Sequence, residues 1–290
     1  MSEYTYYNTA YLPDVVGQHN GGATCWFNSM IQVVWGLPSV AQTLIENESS
    51  YANNAFARHY LGLMKAATSG IEKKPLTNNY AIELFASYQR RLKQLNIGLK
   101  IGNGQECANE GLCYFINALG PTIESLFNNV YEMKVVCPSC NKPTSVVRDK
   151  SCVVTISDRT VFTTQQQFCN HLHYRANPLV CWKCECGATS TGITRTETLK
   201  SLREIIIVVF DKFSVKEMRW FPQELSFPKI GGGHMKYELK GKIEHIGNSS
   251  GGHYYAHTKR DKWYCVNDMG VSPGNGDPTP TTFMAAYHLV

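Results

Sequence analysis

The fold of this chain is decided near its start, where residues 19–29 read His19-Asn20-Gly21-Gly22-Ala23-Thr24-Cys25-Trp26-Phe27-Asn28-Ser29. Apolar residues recur from Thr24 at spacings of three and four until Pro38, which predicts a helix directly after a glycine-rich loop. A thiol there lies at the positive end of the helix dipole, and the free N–H groups of the loop can point at an anion. The segment therefore favours a Cys25 thiolate and any oxyanion made from it. The alternative, that Cys25 is a small residue on the buried face of the helix, does not explain the glycines.

A cysteine nucleophile needs a general base, and the base needs a polar group that fixes its tautomer. His253 follows a glycine turn and opens a predicted strand, and Asn267 and Asp268 end the next one. If these strands form an antiparallel hairpin, His253 and the Asn267/Asp268 pair lie side by side at one end. Since successive strand residues point to opposite faces, at most one of the two faces the imidazole while the strand stays regular.

The composition indicates a folded chain. It has 290 residues, of which 43% are hydrophobic and 18% charged, enough for one large domain or two small ones. The longest apolar run, Ile205–Phe210, is far shorter than the roughly twenty residues that cross a bilayer, and no apolar block follows a basic start. The net charge of +5 is spread thinly. We therefore expect a monomer with no membrane and no nucleic-acid partner, and a mild preference for an acidic partner.

Secondary-structure patterns change character along the chain. Helical spacing dominates the first 120 residues, with further apolar stripes around Tyr60, around Phe85 and over 106–119. From Tyr131 onward, short segments rich in β-branched and aromatic residues predict strands at 133–136, 151–156, 205–209, 237–246, 253–258 and 262–266. This order predicts an α+β fold with an active site in the cleft between the two halves.

Two cysteine clusters predict a metal site. Eleven cysteines without an export signal favour reduced thiols or metal ligands over disulfides, and hence a cytoplasmic or nuclear compartment. Cys137 and Cys140 form one close pair, and a second cluster about forty residues later holds Cys181, Cys184 and Cys186. Two such turns complete a tetrahedral zinc site, which is structural because four thiolates leave no position for water. The spacing does not show which of Cys181, Cys184 and Cys186 is not a zinc ligand.

Four segments carry a resemblance to a known family. The segment from Asn20 to Gln32 resembles the cysteine box of the ubiquitin-specific proteases, and the segment from Gly251 to Pro273 resembles their histidine box. Residues 202–213 and 285–290 are similar to a core strand and the last strand of that family. The resemblance implies one papain-like catalytic domain over 1–290. Its parts would be a helical thumb at about 14–130, zinc-bearing β fingers and the start of the palm at 131–210, and a β palm at 211–290.

The same resemblance implies a role for individual residues. It makes Cys25 the nucleophile, His253 the base, Asn267 the residue that orients the base and Asn20 the side-chain donor to the oxyanion. Asp268 could add charge directly or from the oxyanion side. The implied activity is hydrolysis of the bond after the Gly-Gly tail of ubiquitin or a ubiquitin-like protein, with a structural zinc ion as the cofactor.

The residues expected to bind the substrate tail match the family motif less completely. The resemblance implies tail contacts around Glu110, and Gly251 and Gly252 are expected to wall a channel too narrow for side chains. Where the family has Gln-Gln-Asp-Ala-x-Glu-Phe, this chain has Cys107 in place of the aspartate and Gly111 in place of the phenylalanine.

A weaker resemblance, to the papain-like proteases of coronaviruses, keeps further interpretations open. Pairing Cys181 with Cys184 matches the ubiquitin-specific protease spacing, whereas Cys184 with Cys186 matches the viral one. A viral enzyme would act in the host cytoplasm and would process a polyprotein after two glycines. The alternative outside enzymes is an inactive ubiquitin-binding module on a zinc scaffold.

Overall fold

Helices form the first part of the chain and strands most of the rest, in a computed structural model that describes residues 7–68, 78–97, 106–157, 160–179, 183–189, 193–211, 220–229 and 231–290. The helices are α1 (Cys25–Val34), α2 (Pro38–Glu46), α3 (Ala55–Thr68), α4 (Asn78–Gln94), α5 (Ala108–Leu119), α6 (Pro121–Glu124) and α7 (Gln165–His173). The strands are β1 (Asn129–Val136), β2 (Pro143–Ser151), β3 (Val153–Ile156), β4 (Tyr174–Pro178), β5 (Thr194–Ser201), β6 (Ile205–Phe210), β7 (Glu224–Pro228), β8 (His234–Asn248), β9 (Gly251–Lys259), β10 (Trp263–Asn267), β11 (Gly270–Pro273) and β12 (Thr282–Leu289). The predicted α+β class, with helices first, is confirmed.

Helix α1 lies at the centre of the helical part. All ten of its residues are buried, because α5 covers one side of it and β8 and β9 cover another. Aromatic rings fill the space around it: Phe27 meets Phe85, Tyr88 and Phe115 at centroid distances of 5.1 to 6.0 Å. Seven of its ten residues are apolar, and the three polar ones, Asn28, Ser29 and Gln32, each donate a hydrogen bond to an acceptor in the protein.

An eight-stranded sheet carries the second half of the chain. Its order is β11-β10-β9-β8-β12-β6-β3, with β7 pairing to β8 off this path. β3 runs parallel to β6, and the other pairs are antiparallel. β6 is buried along its whole length, which explains its uninterrupted apolar run. One face packs against the helical core and the other forms a second core with α7.

A separate four-stranded sheet has the order β2-β1-β5-β4. Ion pairs link its strands: Glu132 on β1 pairs with Arg148 on β2 at 3.4 Å and with Lys200 on β5 at 3.3 Å. Glu132 also pairs with Lys134 on its own strand at 3.0 Å. Its strands β2, β4 and β5 have no predicted counterpart in most of their length, because polar and charged residues interrupt the apolar alternation that would mark a strand. Among the described residues, no helix is both long and apolar enough to cross a lipid bilayer.

Candidate active site

The loop that precedes α1 is held by its own side chains. Asn20 Oδ1 accepts hydrogen bonds from the N–H groups of Gly22 and Thr24, at 3.1 and 3.2 Å, and from the Thr24 hydroxyl. Thr24 Oγ1 in turn accepts from the Gly21 N–H at 3.0 Å. Gly22 has a φ of 110°, a conformation that favours glycine. The loop therefore presents Cys25 as the first residue of α1, as the sequence predicts.

The electrostatic surroundings of the Cys25 thiol differ from the sequence-based expectation. Burial of the side chain, which is 3% exposed, raises the pKa of Cys25, and the Asp268 carboxylate raises it further. The backbone N–H groups of Tyr254, Trp26 and Cys25 itself lower this pKa, as expected of a helix N-terminus. They are outweighed, so the pKa of Cys25 lies above its ordinary value. The helix N-terminus thus acts on the pKa of Cys25 in the expected direction, and burial, which a sequence does not show, acts against it.

His253 and Asn267 are joined by the β9–β10 hairpin. The register pairs Val266 with Ala256, so Asn267 is a diagonal neighbour of His253 on the same sheet face. His253 Nε2 lies 2.7 Å from Asn267 Oδ1. Because an amide oxygen only accepts, Nε2 carries the hydrogen, and in the neutral ring Nδ1 keeps a lone pair. The Tyr254 N–H, one residue along, donates toward the Cys25 sulfur, so the hairpin end lies beside the thiol.

Asp268 turns away from the imidazole and toward the cysteine loop. Its φ of 49° is unusual for a residue other than glycine. Oδ2 accepts from Asn20 Nδ2 at 3.0 Å and Oδ1 from Asn28 Nδ2 at 2.9 Å, while the Asp268 carbonyl accepts from the Gln18 N–H. The adjacent residues Asn267 and Asp268 therefore contact opposite parts of the site. Asn28 lies three residues after Cys25, but no sequence pattern predicts its partner.

The predicted tail-binding residues occupy different settings. Glu110 is exposed in the first turn of α5. Gly252 is required by the β8–β9 hairpin itself, since an added Cβ would lie 2.4 Å from the Ile246 carbonyl oxygen, and Gly251 pairs with Asn248 at the hairpin end. The need for glycine at position 252 is thus explained without a substrate.

The departure at Gly111 has a packing explanation. A Cβ at Gly111 would lie 2.4 Å from Trp26 Cζ3, so the Trp26 ring occupies the space beside α5. The residue that follows Cys25 therefore leaves no room for a side chain at position 111.

A second site lies at the tip of the four-stranded sheet. Cys137, Cys140, Cys184 and Cys186 have sulfur atoms within 4.8 Å of one another. The pairs Cys137–Cys186 and Cys140–Cys184 are each separated by 3.7 Å. Four sulfurs bound at 2.3 Å to a tetrahedral zinc ion lie roughly 3.8 Å apart, so this donor set fits zinc. Cys181 lies outside the described residues.

The backbone of the first cysteine turn favours a thiolate. The N–H group of Cys140, with that of Ser139, donates toward the Cys137 sulfur and lowers the pKa of Cys137 to about 6. The second turn is closed by the Gly187 N–H, which donates to the Cys184 carbonyl at 2.9 Å. Both turns therefore present metal-binding groups from loops that connect neighbouring strands of one sheet.

Comparison with known proteins gives the following similarities. The family model described as ubiquitin carboxyl-terminal hydrolase matches residues 16–290. Ubiquitin carboxyl-terminal hydrolase 36 of Drosophila erecta is 23% identical over 292 residues, which cover 89% of this chain and 27% of that protein. Ubiquitin carboxyl-terminal hydrolase 25 of Arabidopsis thaliana is 24% identical over 300 residues, covering 89% and 44%. The chain thus spans less than half of the length of these relatives.

Solved structures show the same architecture. A chain of the SAGA Ubp8/Sgf11/Sus1/Sgf73 DUB module bound to monoubiquitin gives a TM-score of 0.72 at 17% identity, covering 100% of this chain and 72% of that one. The module bound to ubiquitin aldehyde gives a TM-score of 0.71 at the same identity and coverage. The similarity at this identity establishes the fold.

Proposed function

Because the chain belongs to the ubiquitin carboxyl-terminal hydrolase family, and to its ubiquitin-specific protease type, we propose that it is a thiol-dependent deubiquitinase. Its substrates are conjugates of ubiquitin or a ubiquitin-like protein, cut at the isopeptide or peptide bond after the Gly-Gly tail. The observation that carries this proposal is the 2.7 Å contact between His253 Nε2 and Asn267 Oδ1, at a hairpin end that also donates an N–H toward Cys25.

The proposed reaction assigns one task to each group. His253 takes the Cys25 proton at Nδ1 while the sulfur attacks the carbonyl carbon, since the raised pKa of Cys25 argues against a preformed thiolate. The Cys25 N–H and one N–H of Asn20 Nδ2 hold the oxyanion. His253 then returns its proton to the leaving lysine amine, and water hydrolyses the thioester.

Asp268 has an indirect part in this reaction. It accepts one N–H of Asn20 Nδ2 at 3.0 Å, which leaves the second N–H for the oxyanion. We therefore treat Asp268 as a positioning residue for Asn20. Its negative charge also opposes the oxyanion, so its net effect is smaller than that of Asn20.

We extend the proposal to the metal, the parts of the domain, the contacts with the substrate tail and the compartment. One zinc ion held by Cys137, Cys140, Cys184 and Cys186 would tie the two turns of the four-stranded sheet together and act only in folding. The helical part at about 14–130 is the thumb, 131–210 forms the fingers and the start of the palm, and 211–290 is the palm. Glu110, Gly251 and Gly252 face the substrate tail. We also propose a monomer in a reducing compartment, cytoplasmic or nuclear.

A ubiquitin vinyl-sulfone probe tests the activity. The probe should form a covalent adduct with the wild-type protein, visible as a mass increase on a denaturing gel. Cys25→Ala should abolish both the adduct and the hydrolysis of a ubiquitin C-terminal amide, while thermal unfolding stays nearly unchanged because little buried volume is lost. His253→Ala should likewise remove turnover, and wild-type rates in that variant would assign the base to another histidine.

Two other results would redirect the proposal. No adduct and no turnover with any member of a panel of ubiquitin-like probes would favour an inactive binding module. Faster cleavage of Gly-Gly peptides than of the ubiquitin amide would favour a polyprotein-processing protease.

A further inference from the structure

Two cysteines that belong to neither the candidate active site nor the metal cluster face each other across 3.1 Å. Cys113 lies on α5, and Cys152 lies in the bend between β2 and β3. Both residues are half-buried. No disulfide joins any of the ten cysteines in the described part of the chain, and the two sulfurs are within hydrogen-bond distance of each other.

The pair lies where the helical part meets the strands. Cys152 and its neighbour Val153 pack against the core cluster that contains α1 and α5. α5 also carries Gly111, which contacts the Trp26 ring directly after Cys25. A covalent link at this place would join α5 to the β2–β3 connection and limit their relative movement.

We propose that Cys113 and Cys152 form a reversible disulfide when the protein meets a peroxide oxidant. The Cys152 thiolate attacks one oxygen of hydrogen peroxide, which breaks the O–O bond and gives Cys152 sulfenic acid and hydroxide, and the hydroxide takes up a proton to become water. The Cys113 sulfur then attacks the Cys152 sulfur, the thiol proton leaves with the sulfenic hydroxyl as a second water, and the S–S bond forms. The peroxide is reduced to water by the two electrons that the thiols lose.

The order of these steps follows from the unequal environments of the two thiols. The contact with Cys113 and the backbone N–H of Cys152 itself lower the pKa of Cys152, despite burial. The same contact, together with burial, raises the pKa of Cys113. Cys152 is therefore the group that reacts with peroxide, and Cys113 resolves the sulfenic acid from 3.1 Å away.

The test uses the Cys25→Ala background, so that oxidation of the proposed nucleophile does not contribute. The reduced protein is treated with about one equivalent of hydrogen peroxide, alkylated, digested without reductant and analysed by mass spectrometry. We expect a Cys113–Cys152 linked peptide as the main oxidation product, and a rise in Tm of roughly 5–15 °C that dithiothreitol reverses.

The controls separate this pair from the other thiols. Cys113→Ser should abolish the linked peptide and the Tm rise and leave Cys152 as a sulfenic acid that dimedone traps. Cys169→Ser, a variant of a cysteine outside the pair, should change neither result. Two outcomes would overturn the proposal. In the first, Cys152 becomes a sulfinic acid and no linked peptide forms. In the second, other thiols oxidise and no linked peptide forms. Because the linkage is read by mass in a chain without Cys25, the result does not depend on deubiquitinase activity.

Discussion

Asp268 Oδ2 accepts a hydrogen bond from Asn20 Nδ2 at 3.0 Å, which joins the end of β10 to the loop that presents Cys25. Asn28 Nδ2 donates to the other oxygen of the same carboxylate at 2.9 Å. One carboxylate therefore aligns two amides, one on the loop before Cys25 and one on the helix that Cys25 begins, and it belongs to the residue next to the partner of His253. Substitutions at Asn267 and Asp268 can therefore measure the separate contribution of each residue to turnover.

Substitutions at the two adjacent positions should act differently on turnover. We expect Asn267→Ala to lower kcat more than KM, because the imidazole loses the group that fixes its tautomer, and Asn267→Asp to be tolerated. Asp268→Ala should have an intermediate effect, and Asn20→Ala should lower kcat about 10²–10³-fold as the loss of an oxyanion donor. Steady-state kinetics on a ubiquitin C-terminal amide measure all four. A larger loss in Asp268→Ala, with Asn267→Ala close to wild type, would make Asp268 the true partner of the base.

The reactivity of Cys25 should depend on pH as expected of a buried thiol. Burial and Asp268 raise the pKa of Cys25, so the thiolate fraction grows only as the pH approaches that higher value. The rate of Cys25 alkylation by iodoacetamide should therefore keep rising at a pH where a short cysteine peptide has levelled off. Asp268→Asn removes the negative charge and should move the midpoint to lower pH. A wild-type midpoint below that of the peptide would indicate a preformed thiolate–imidazolium pair instead.

The parts of the site that sequence could predict are those within short segments. Cys25 follows a recognisable loop, and His253 and Asn267 come together through one hairpin, whose register follows from local alternation. The Asn28–Asp268 contact joins residues 240 positions apart and depends on how α1 packs against the sheet. No local sequence pattern predicts that these two residues are in contact.

The strands also differ in how clearly their sequences mark them. β6 and β9 have the apolar run or the alternation that marks a strand, whereas β5 reads Thr-Arg-Thr-Glu-Thr-Leu-Lys-Ser and is stabilised by charged side chains such as Glu197. The pKa of Cys25 was also beyond prediction, because the helix N-terminus is visible in a sequence but burial of the thiol is not.

A buried ion pair in the eight-stranded sheet should contribute strongly to stability. Lys242 Nζ and Glu244 Oε1 are 2.7 Å apart, both side chains are fully buried, and the hydroxyls of Thr279, Thr281 and Thr282 donate to the carboxylate. Glu244→Gln leaves the buried ammonium uncompensated and should cost about 3–5 kcal/mol of unfolding free energy in urea denaturation. Glu48→Gln, which breaks the exposed pair with Lys65, is the matched control and should cost at most about 1 kcal/mol.

The pair also predicts how stability varies in acid. Burial opposes ionisation of Glu244, but Lys242 and the threonine hydroxyls outweigh it, so the pKa of Glu244 is lowered in the folded state. A depressed folded-state pKa stabilises the protein above the unfolded pKa of about 4.3, and this contribution is lost as the pH falls toward the folded value. The unfolding free energy of the wild type should therefore decline more steeply below about pH 4.3 than that of Glu244→Gln. Parallel declines would contradict the assignment.

Removal of the metal should unfold the protein before it affects chemistry in a graded way. Elemental analysis should find about one zinc ion per chain, and a strong chelator or Cys140→Ser should cause unfolding or aggregation. Cys184→Ser and Cys186→Ser should lose zinc, while Cys181→Ser keeps it, because four thiolates already complete the site. Active, folded protein without metal would contradict the structural role. Zinc loss in Cys181→Ser with retention in Cys186→Ser would assign the fourth ligand to Cys181.

The close contact between Gly111 and Trp26 gives a prediction with a control in a neighbouring helix. Gly111→Ala places a methyl group 2.4 Å from Trp26 Cζ3, between α5 and the helix that carries Cys25, and should destabilise the protein by about 1–3 kcal/mol. Gly62→Ala, on α3, meets no atom within 4 Å and should be stabilising by roughly 0.5–1 kcal/mol, since alanine is the better helix former. If the Trp26 ring is the obstacle, Trp26→Phe should reduce the cost of Gly111→Ala in a double-mutant cycle. Urea unfolding of the wild type, Gly111→Ala, Trp26→Phe and the double variant measures the coupling energy. Additive losses would show that α5 adapts to the methyl group by another route.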